Sequence, residues 1–254
     1  SGGVYILRIE DTDKKREVAG SAEHLISSLK AIGIEYDEGP DIGGAFAPYV
    51  QSQRLERYQV WAQKLIDAGR AYADPYTAEE MQAFRDQAAS AKRAFRYRDF
   101  RPENPPAWDG TTPLRFKSEP KSYTYHDEVM GDITTSPEVV DDLILMKSDG
   151  YPTYNFAHIV DDAEMEITHV IRGQEFMSSM PNYLALYEAL GFNMAMCVRE
   201  ADSIEASAQT REVSEFESER AEDCLSEASS AGASETDEST SRRAEAASME
   251  TATK

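Results

Sequence analysis

The sequence predicts an α/β fold built around a mainly parallel sheet. Three observations carry that expectation. Short runs rich in β-branched and aromatic residues alternate with stretches of helical period. Glycines or Asp-Gly signals stand between several of these runs. The 254 residues are enough for one long domain or two ordinary ones.

Taken in order, Val4–Ile9 is the first strand candidate, and it ends abruptly in Glu10-Asp11-Thr12-Asp13. From about Lys15 the period changes: Val18, Ala22, Leu25, Ile26, Leu29 and Ile32 fall at helical spacing, with Gly33 at the C-cap position. A second amphipathic helix is predicted over 51–68, with Leu55, Tyr58, Trp61 and Leu65 on one face and Gly69 behind it. Thr77-Ala-Glu-Glu80 is a capping box opening a third helix over 78–91. A Pro-rich loop over 101–113 follows, then strand-like runs at 114–117 and 123–125. Val139–Met146 and Ile167–Ile171 read as buried strands, and 180–190 as a further helix closed by Gly191. The stretch from Gly69 to Pro113 reads as an inserted lobe. The expected division is therefore 1–68, 69–113, 114–197 and a tail over 198–254.

Composition narrows the function classes. With 47 acids against 26 bases the net charge is −21, which excludes a sequence-blind nucleic-acid coat but leaves room for a local basic strip. Residues 201–254 hold 14 of those acids, five of the bases, and eleven each of Ala and Ser. Their large apolar residues are Ile204, Val213, Phe216, Leu225 and Met249. That is too little burial to offset a backbone ordering cost of about 1–2 kcal/mol per residue, so a disordered acidic tail is expected. No apolar run approaches the roughly 18 residues of a membrane span, and the first residues lack the order of a signal peptide. Cys197 and Cys224 have no paired spacing, which argues against a disulfide framework or a cysteine zinc site. No membrane association and a cytoplasmic location are expected.

Three clusters carry polar chemistry. In Arg8-Ile9-Glu10-Asp11-Thr12-Asp13, strand alternation puts Arg8 and Glu10 on one face at a strand's carboxyl end, where α/β sheets bind ligands. A carboxylate there suits an ammonium group, and an arginine suits a carboxylate or phosphate. The same Asp and Thr residues would also serve as a helix N-cap, and Asp11-x-Asp13 is a thin divalent-metal pair. In Ser148 to His158, running on to Asp161-Asp162, a turn delivers two tyrosines, an amide and an imidazole suited to small polar ligands. His158 alone reads equally as a satisfied structural histidine. In Thr168 to Phe176, Arg172 emerges from an apolar strand before Gly173, as a carboxylate clamp or a surface ion pair.

Together these stretches resemble the glutamyl-tRNA synthetase catalytic domain. The likeness rests on Arg8-Ile-Glu-Asp-Thr-Asp13, Tyr36-Asp-Glu-Gly-Pro40, Pro48-Tyr-Val-Gln-Ser-Gln-Arg54, Ser148-Asp-Gly-Tyr-Pro-Thr-Tyr154, Val160-Asp-Asp162 and Ile167-Thr-His-Val-Ile-Arg-Gly173, in order across roughly residues 2–192. The resemblance implies a Rossmann-type class I synthetase catalytic domain with an inserted acceptor-binding lobe. It implies joining of glutamate to tRNA(Glu) through a glutamyl-adenylate, with ATP and Mg²⁺. Residue by residue, it implies that Glu10 holds the amino group of glutamate and that Arg8, Tyr154, His158 and Arg172 complete the glutamate site, with Arg172 on the side-chain carboxylate. Gly173, Glu175 and Phe176 would lie beside ATP, and Thr12, Asp13 and Arg16 near the tRNA acceptor end. No covalent nucleophile is among them, and catalysis would rest on positioning and phosphate-charge stabilisation.

The departures set further expectations. The family's His-x-Gly-His-type and Lys-x-Ser-Lys-type ATP motifs are not among the 254 residues, so the domain reads as incomplete and this chain alone as inactive. Ala73-Asp-Pro-Tyr76 and Tyr97-Arg-Asp-Phe100 stand where many members carry zinc cysteines, so no zinc and no bound metal are expected. His158 replaces a common Asn, and Phe176 a common Trp. A monomer is expected. Two alternatives stay open: a non-catalytic module that binds glutamate or an acceptor end, and a paralogue of the glutamyl-Q tRNA(Asp) synthetase kind.

Overall fold

A computed structural model of the chain describes residues 3–16, 18–192 and 196–199. The acidic tail expected over 198–254 lies outside those residues, apart from the backbone of 198 and 199.

The first strand candidate is only partly realised. Residues 4–9 run extended but form isolated parallel bridges, Ile6 with Glu38 and Ile9 with Val50, held by Leu7 N–H to the Glu38 carbonyl and Ile9 N–H to the Tyr49 carbonyl, each at 2.8 Å. Between those two bridges the partner segment makes a tight turn, with Gly39 and Gly43 bonded to each other, so no continuous ladder can form. The helix expected from Lys15 begins later, as α1 (Ser21–Ala31), because Gly20 adopts φ 81° directly before it. None of its residues is buried, and Ile32 beyond it is 71% exposed.

The second helix follows its prediction. A 3₁₀ turn, Gln51–Arg54, runs into α2 (Leu55–Asp67), which buries Tyr58, Ala62 and Leu65. Strand β1 (Ala71–Ala73) had no signal in its Ala-Tyr-Ala sequence. It pairs antiparallel with β2 (Leu114–Phe116). Between them α3 (Ala78–Ser90) opens on the predicted capping box: Glu80 N–H donates to Thr77 Oγ1 at 3.2 Å, and Thr77 N–H to the Glu80 carboxylate at 2.8 Å. A small aromatic cluster sits here, with Tyr72, Met81 and Tyr97 buried and Tyr76, Phe84 and Phe95 packed on them.

Strands β3 (Thr124–Asp127) and β4 (Gly131–Thr134) form an antiparallel hairpin. The buried strand expected at 139–146 shrinks to β5 (Ile144–Met146), antiparallel to β2. Upstream of it the chain leaves the sheet because Asp141 and Asp142 bind elsewhere. Asp141 accepts the N–H groups of Tyr97 and Arg98, and Asp142 accepts Tyr72 OH, Ser118 N–H and the Arg101 guanidinium. Helix α4 (Tyr154–Glu164) follows the Asp149-Gly150 turn, over a span for which the sequence reading predicts no element. Asn155, His158, Asp161 and Asp162 share one face at helical spacing, opposite Phe156, Ile159, Val160 and Ala163, and residues 156–162 are all buried.

Strand β6 (His169–Arg172) is not buried as expected, with Ile171 66% exposed. Helix α5 (Met180–Leu190) fills its predicted span and ends on Gly191 at φ 71°, a left-handed C-cap. Strand β7 (Met196–Arg199) pairs parallel with both β3 and β6. The described residues thus hold two sheets. One, in order β4-β3-β7-β6, pairs β3-β7 and β7-β6 parallel but β3-β4 antiparallel; the other, β1-β2-β5, is antiparallel throughout, so the mainly parallel sheet expected is realised only in part. The principal core lies where α2, α4 and α5 cover the second sheet, around Tyr58, Leu65, Leu114, Phe116, Leu145, Phe156, Ile159 and Leu186.

Candidate active site

Helix α4 presents two carboxylates in succession. Asp161, fully buried, accepts from Arg54 Nε at 2.7 Å, Gln51 Nε2 at 2.9 Å and Tyr58 OH at 2.9 and 3.0 Å. Arg54 is itself buried and also donates to Glu164 at 2.8 Å and to the carbonyls of Phe46 and Pro48. Three bonds to charged groups therefore fix the 46–54 segment to α4, and a buried pair so well satisfied holds geometry. Burial and the Asp161 carboxylate together push the Tyr58 phenol well above its ordinary value.

Asp162 faces the other way. Arg8, at the end of the extended segment, donates from Nη1 to Asp162 at 2.9 Å and from Nη2 to Glu10 at 3.0 Å. Arg172, at the end of β6, stands 3.8 Å from the same Asp162. The Arg172 guanidinium lies 5.3 Å from the Tyr183 ring and 5.6 Å from Phe176. Its Nη1 is buried with no hydrogen-bond partner, as is Arg8 Nε. Burial works against the charge on Arg8, but Asp162, Asp161 and Glu10 outweigh it and hold the guanidinium charged.

Tyr154 and His158 lie one helical turn apart on α4 and stack at 4.7 Å, with Phe176 6.2 Å from Tyr154. His158 is 2% exposed, and its Nδ1 lies 2.7 Å from the Tyr154 carbonyl oxygen. Burial, then the nearby Arg172 charge, pushes its pKa down to about 3. The neutral ring must donate from Nδ1 to that carbonyl, which leaves Nε2 as an acceptor. Burial likewise raises the Tyr154 phenol, Arg172 opposing and Glu10 adding to the shift.

Two cavities meet these residues. One of about 360 Å³ is lined by Arg8, Glu10, Asp162, Met165, Val170 and Arg172 among others. The second, about 480 Å³, is lined by Asp13, Lys14, Lys15, Arg16, Lys147 and Tyr154 among others. In the second, Asp13 accepts from Arg16 Nε at 2.6 Å, which holds its carboxyl below the usual range. Buried Thr12 offers its carbonyl to Lys147 Nζ at 2.9 Å. Asp11 is bound inward, accepting Ser52 N–H at 2.8 Å. Burial raises its carboxyl, but the Ser52 and Lys14 contacts outweigh that and keep it low. The Asp11-x-Asp13 pair is thus taken up by protein donors, and no cluster of three or more His, Cys, Asp or Glu suited to a metal exists among the described residues.

The structure therefore gathers Arg8, Glu10, Tyr154, His158 and Arg172 around Asp162 and Phe176, and sets Thr12, Asp13 and Arg16 at the second cavity. Gly173, at φ −64°, caps the 3₁₀ turn Gln174–Ser179. A Cβ there would meet only the flexible Glu175 carboxylate, so its backbone does not demand glycine. Sequence reasoning gave no roles to Asp162, Asp161, Arg54 or Lys147. The quoted runs Gln51–Arg54 and Val160–Asp162 held three of them, and burial of charge was the signal that sequence alone does not carry.

Comparison with known proteins follows the same lines. A family model described as tRNA synthetases class I (E and Q), catalytic domain, matches residues 1–221. A glutamate–tRNA ligase of Clostridium kluyveri is 42% identical over 205 residues, covering 78% of this chain and 42% of that protein. One from Clostridium botulinum is 44% identical over 204 residues, covering 77% and 42%. A crystal structure of a glutamate tRNA ligase from Elizabethkingia meningosepticum, in complex with its amino acid, superposes with TM-score 0.70 at 35% identity, covering 78% of this chain and 42% of that one. The chain spans about 42% of the length of these relatives. Among the described residues no helix is long and apolar enough to cross a membrane. With the family model matched over most of its length, this chain belongs to the class I tRNA synthetases of the glutamate and glutamine group.

Proposed function

We propose that this chain is the catalytic-domain portion of a cytoplasmic, monomeric ligase that activates glutamate with ATP and transfers it to tRNA(Glu). The single observation that carries the reading is Arg172. Its buried Nη1 has no partner, and its guanidinium is framed by Tyr183, Phe176 and Asp162. A carboxylate in that pocket would receive a charge-assisted hydrogen bond that an amide cannot match. Glu10, bonded to Arg8, is 36% exposed at its side chain and suits the ammonium of an amino acid, while Tyr154, Arg8 and neutral His158 complete the polar wall.

In the proposed reaction an oxygen of the glutamate α-carboxylate attacks the α-phosphorus of ATP, and pyrophosphate leaves. A ribose hydroxyl at the tRNA 3′ end then attacks the acyl carbon, and AMP leaves. Gly173, Glu175 and Phe176 would flank the nucleotide. Thr12, Asp13 and Arg16, beside the cavity that Lys14, Lys15 and Lys147 line, would receive the acceptor end, with residues 69–113 as the lobe that holds its stem. Mg²⁺ would arrive with the nucleotide; the described residues form no cluster of three or more His, Cys, Asp or Glu to cage it. The chain's own contribution is to hold two anionic reactants in register, the largest part of such catalysis.

The test is calorimetric titration of the 254-residue chain. Glutamate should bind, glutamine should bind at least about tenfold more weakly, and Arg172→Ala should remove the difference. Equal binding of the two amino acids overturns the assignment.

A further inference from the structure

The two adjacent carboxylates of α4 have divided tasks. Asp161 is hydrogen-bonded by the fold: Arg54, Gln51 and Tyr58, all of the 51–67 segment, bind both its oxygens, while Arg8 Nε approaches it at 3.7 Å without a hydrogen bond. Asp162 makes no such contact. The partners of its carboxylate are Arg8 at 2.9 Å and Arg172 at 3.8 Å, two cations from separate extended segments. The contacts are unequal. Arg8 is hydrogen-bonded, whereas 3.8 Å is an ionic approach without a hydrogen bond. Arg172 is thus drawn toward Asp162 but not saturated by it, and its buried Nη1 remains without a hydrogen-bond partner while the guanidinium lies beside the Tyr183 and Phe176 rings.

We propose that Asp162 is a positioning residue for the amino-acid site: it anchors Arg8 and, by a loose ionic hold on Arg172, aims the guanidinium at the side-chain carboxylate of the substrate. The inference rests on the glutamate reading above and deepens it. Without the Asp162 charge, Arg8 would keep its bond to Glu10 and its 3.7 Å approach to Asp161, whereas Arg172 would lose the carboxylate that faces it. Arg172 would turn away from Arg8, and the advantage of a carboxylate over an amide would be lost with its orientation. A fixed donor discriminates between ligands; a displaced one does not.

The experiment compares the 254-residue chain with Asp162→Asn, Asp161→Asn and Arg172→Ala, measuring affinities for glutamate and glutamine by calorimetry and the melting temperature of each. For Asp162→Asn the glutamate affinity should fall at least about tenfold, equivalent to 1.4 kcal/mol, while glutamine affinity holds and the melting temperature falls less than in Asp161→Asn. Asp161→Asn, in contrast, should lower the melting temperature and weaken both ligands alike. Should Asp162→Asn not fold, Asp162→Ser carries the same comparison with a smaller neutral side chain. An unchanged glutamate-to-glutamine ratio at position 162, with the ratio lost in Arg172→Ala, overturns the proposal and leaves the glutamate reading standing. Parallel weakening of both ligands with a lower melting temperature, the Asp161 pattern, also overturns it. A wild-type chain that does not prefer glutamate sinks the glutamate reading itself, and the role of Asp162 with it.

Discussion

His158 shows how much a single buried side chain can report. Its ring is stacked on Tyr154, set edge-on to Tyr183 and hydrogen-bonded through Nδ1, and its pKa is pushed down to about 3 by burial and by Arg172. The unfolded ring titrates near 6.5. Below that pH the unfolded state takes up a proton that the folded ring refuses, so stability is full above about 6.5 and falls as pH drops toward 3. Exposed His126 is the opposite case: its hydrogen bond to Asp132 at 2.7 Å raises its pKa. In an NMR titration from pH 8 to 5, the His126 ring signals should shift with a midpoint above about 6.5, while those of His158 stay fixed. His158 signals that move within that window would mean that the ring is hydrated and the pocket open. Replacement by Asn should flatten the acid side of the stability curve.

At the scale of elements, the capping box and the buried ion pair make predictions of different size. Thr77 caps α3 at a solvent-exposed end, so Thr77→Ala should cost about 1 kcal/mol, read as a lower urea midpoint at unchanged slope. Arg54 joins the start of α2 to α4 from full burial. Arg54→Leu leaves the Asp161 carboxylate buried with fewer donors and should cost about 3–5 kcal/mol. Adding Asp161→Leu should then recover part of that loss, because the orphaned charge goes with it; a double variant as weak as the sum of the singles would refute the coupling. These elements also show what the sequence could disclose. The capping box and α5 were legible because their signals are local: a Thr three residues before a Glu, and a helix closed by a glycine. Helix α4 carried a local signal too, with Asn155, His158, Asp161 and Asp162 at helical spacing opposite Phe156, Ile159, Val160 and Ala163; what spacing could not disclose is that its polar face is buried. The Arg8–Asp162–Arg172 contact joins three separate motifs, Arg8 lying more than 150 positions from the other two residues, and only the fold brings them together. Arg8, Glu10, Tyr154, His158 and Arg172 could be picked out as polar groups beside strand and turn ends, but the carboxylate that organises them could not be told from its neighbour.

For the molecule as a whole, the charge balance limits how a polyanion could be held. Acids outnumber bases 47 to 26, yet Lys14, Lys15, Arg16 and Lys147 line one cavity. Three of the four are already engaged: Lys14 with Asp11 at 3.2 Å, Arg16 with Asp13 at 2.6 Å and Lys147 with Asp149 at 3.1 Å. An acceptor end entering there would exchange few counterions and would be surrounded by repelling charge outside the cavity. Binding of a single-stranded CCA-ended oligonucleotide should therefore weaken with salt along a log–log slope no steeper than about −3, the value for four neutralised phosphates at about −0.7 each. Reversing two of the contacts, with Lys15→Glu and Arg16→Glu together, should abolish binding at moderate salt. A slope twice as steep, or binding indifferent to both reversals, would place the contact elsewhere on the surface. The cavity beside Tyr154 would then be free of the role that its position next to the amino-acid site assigns it.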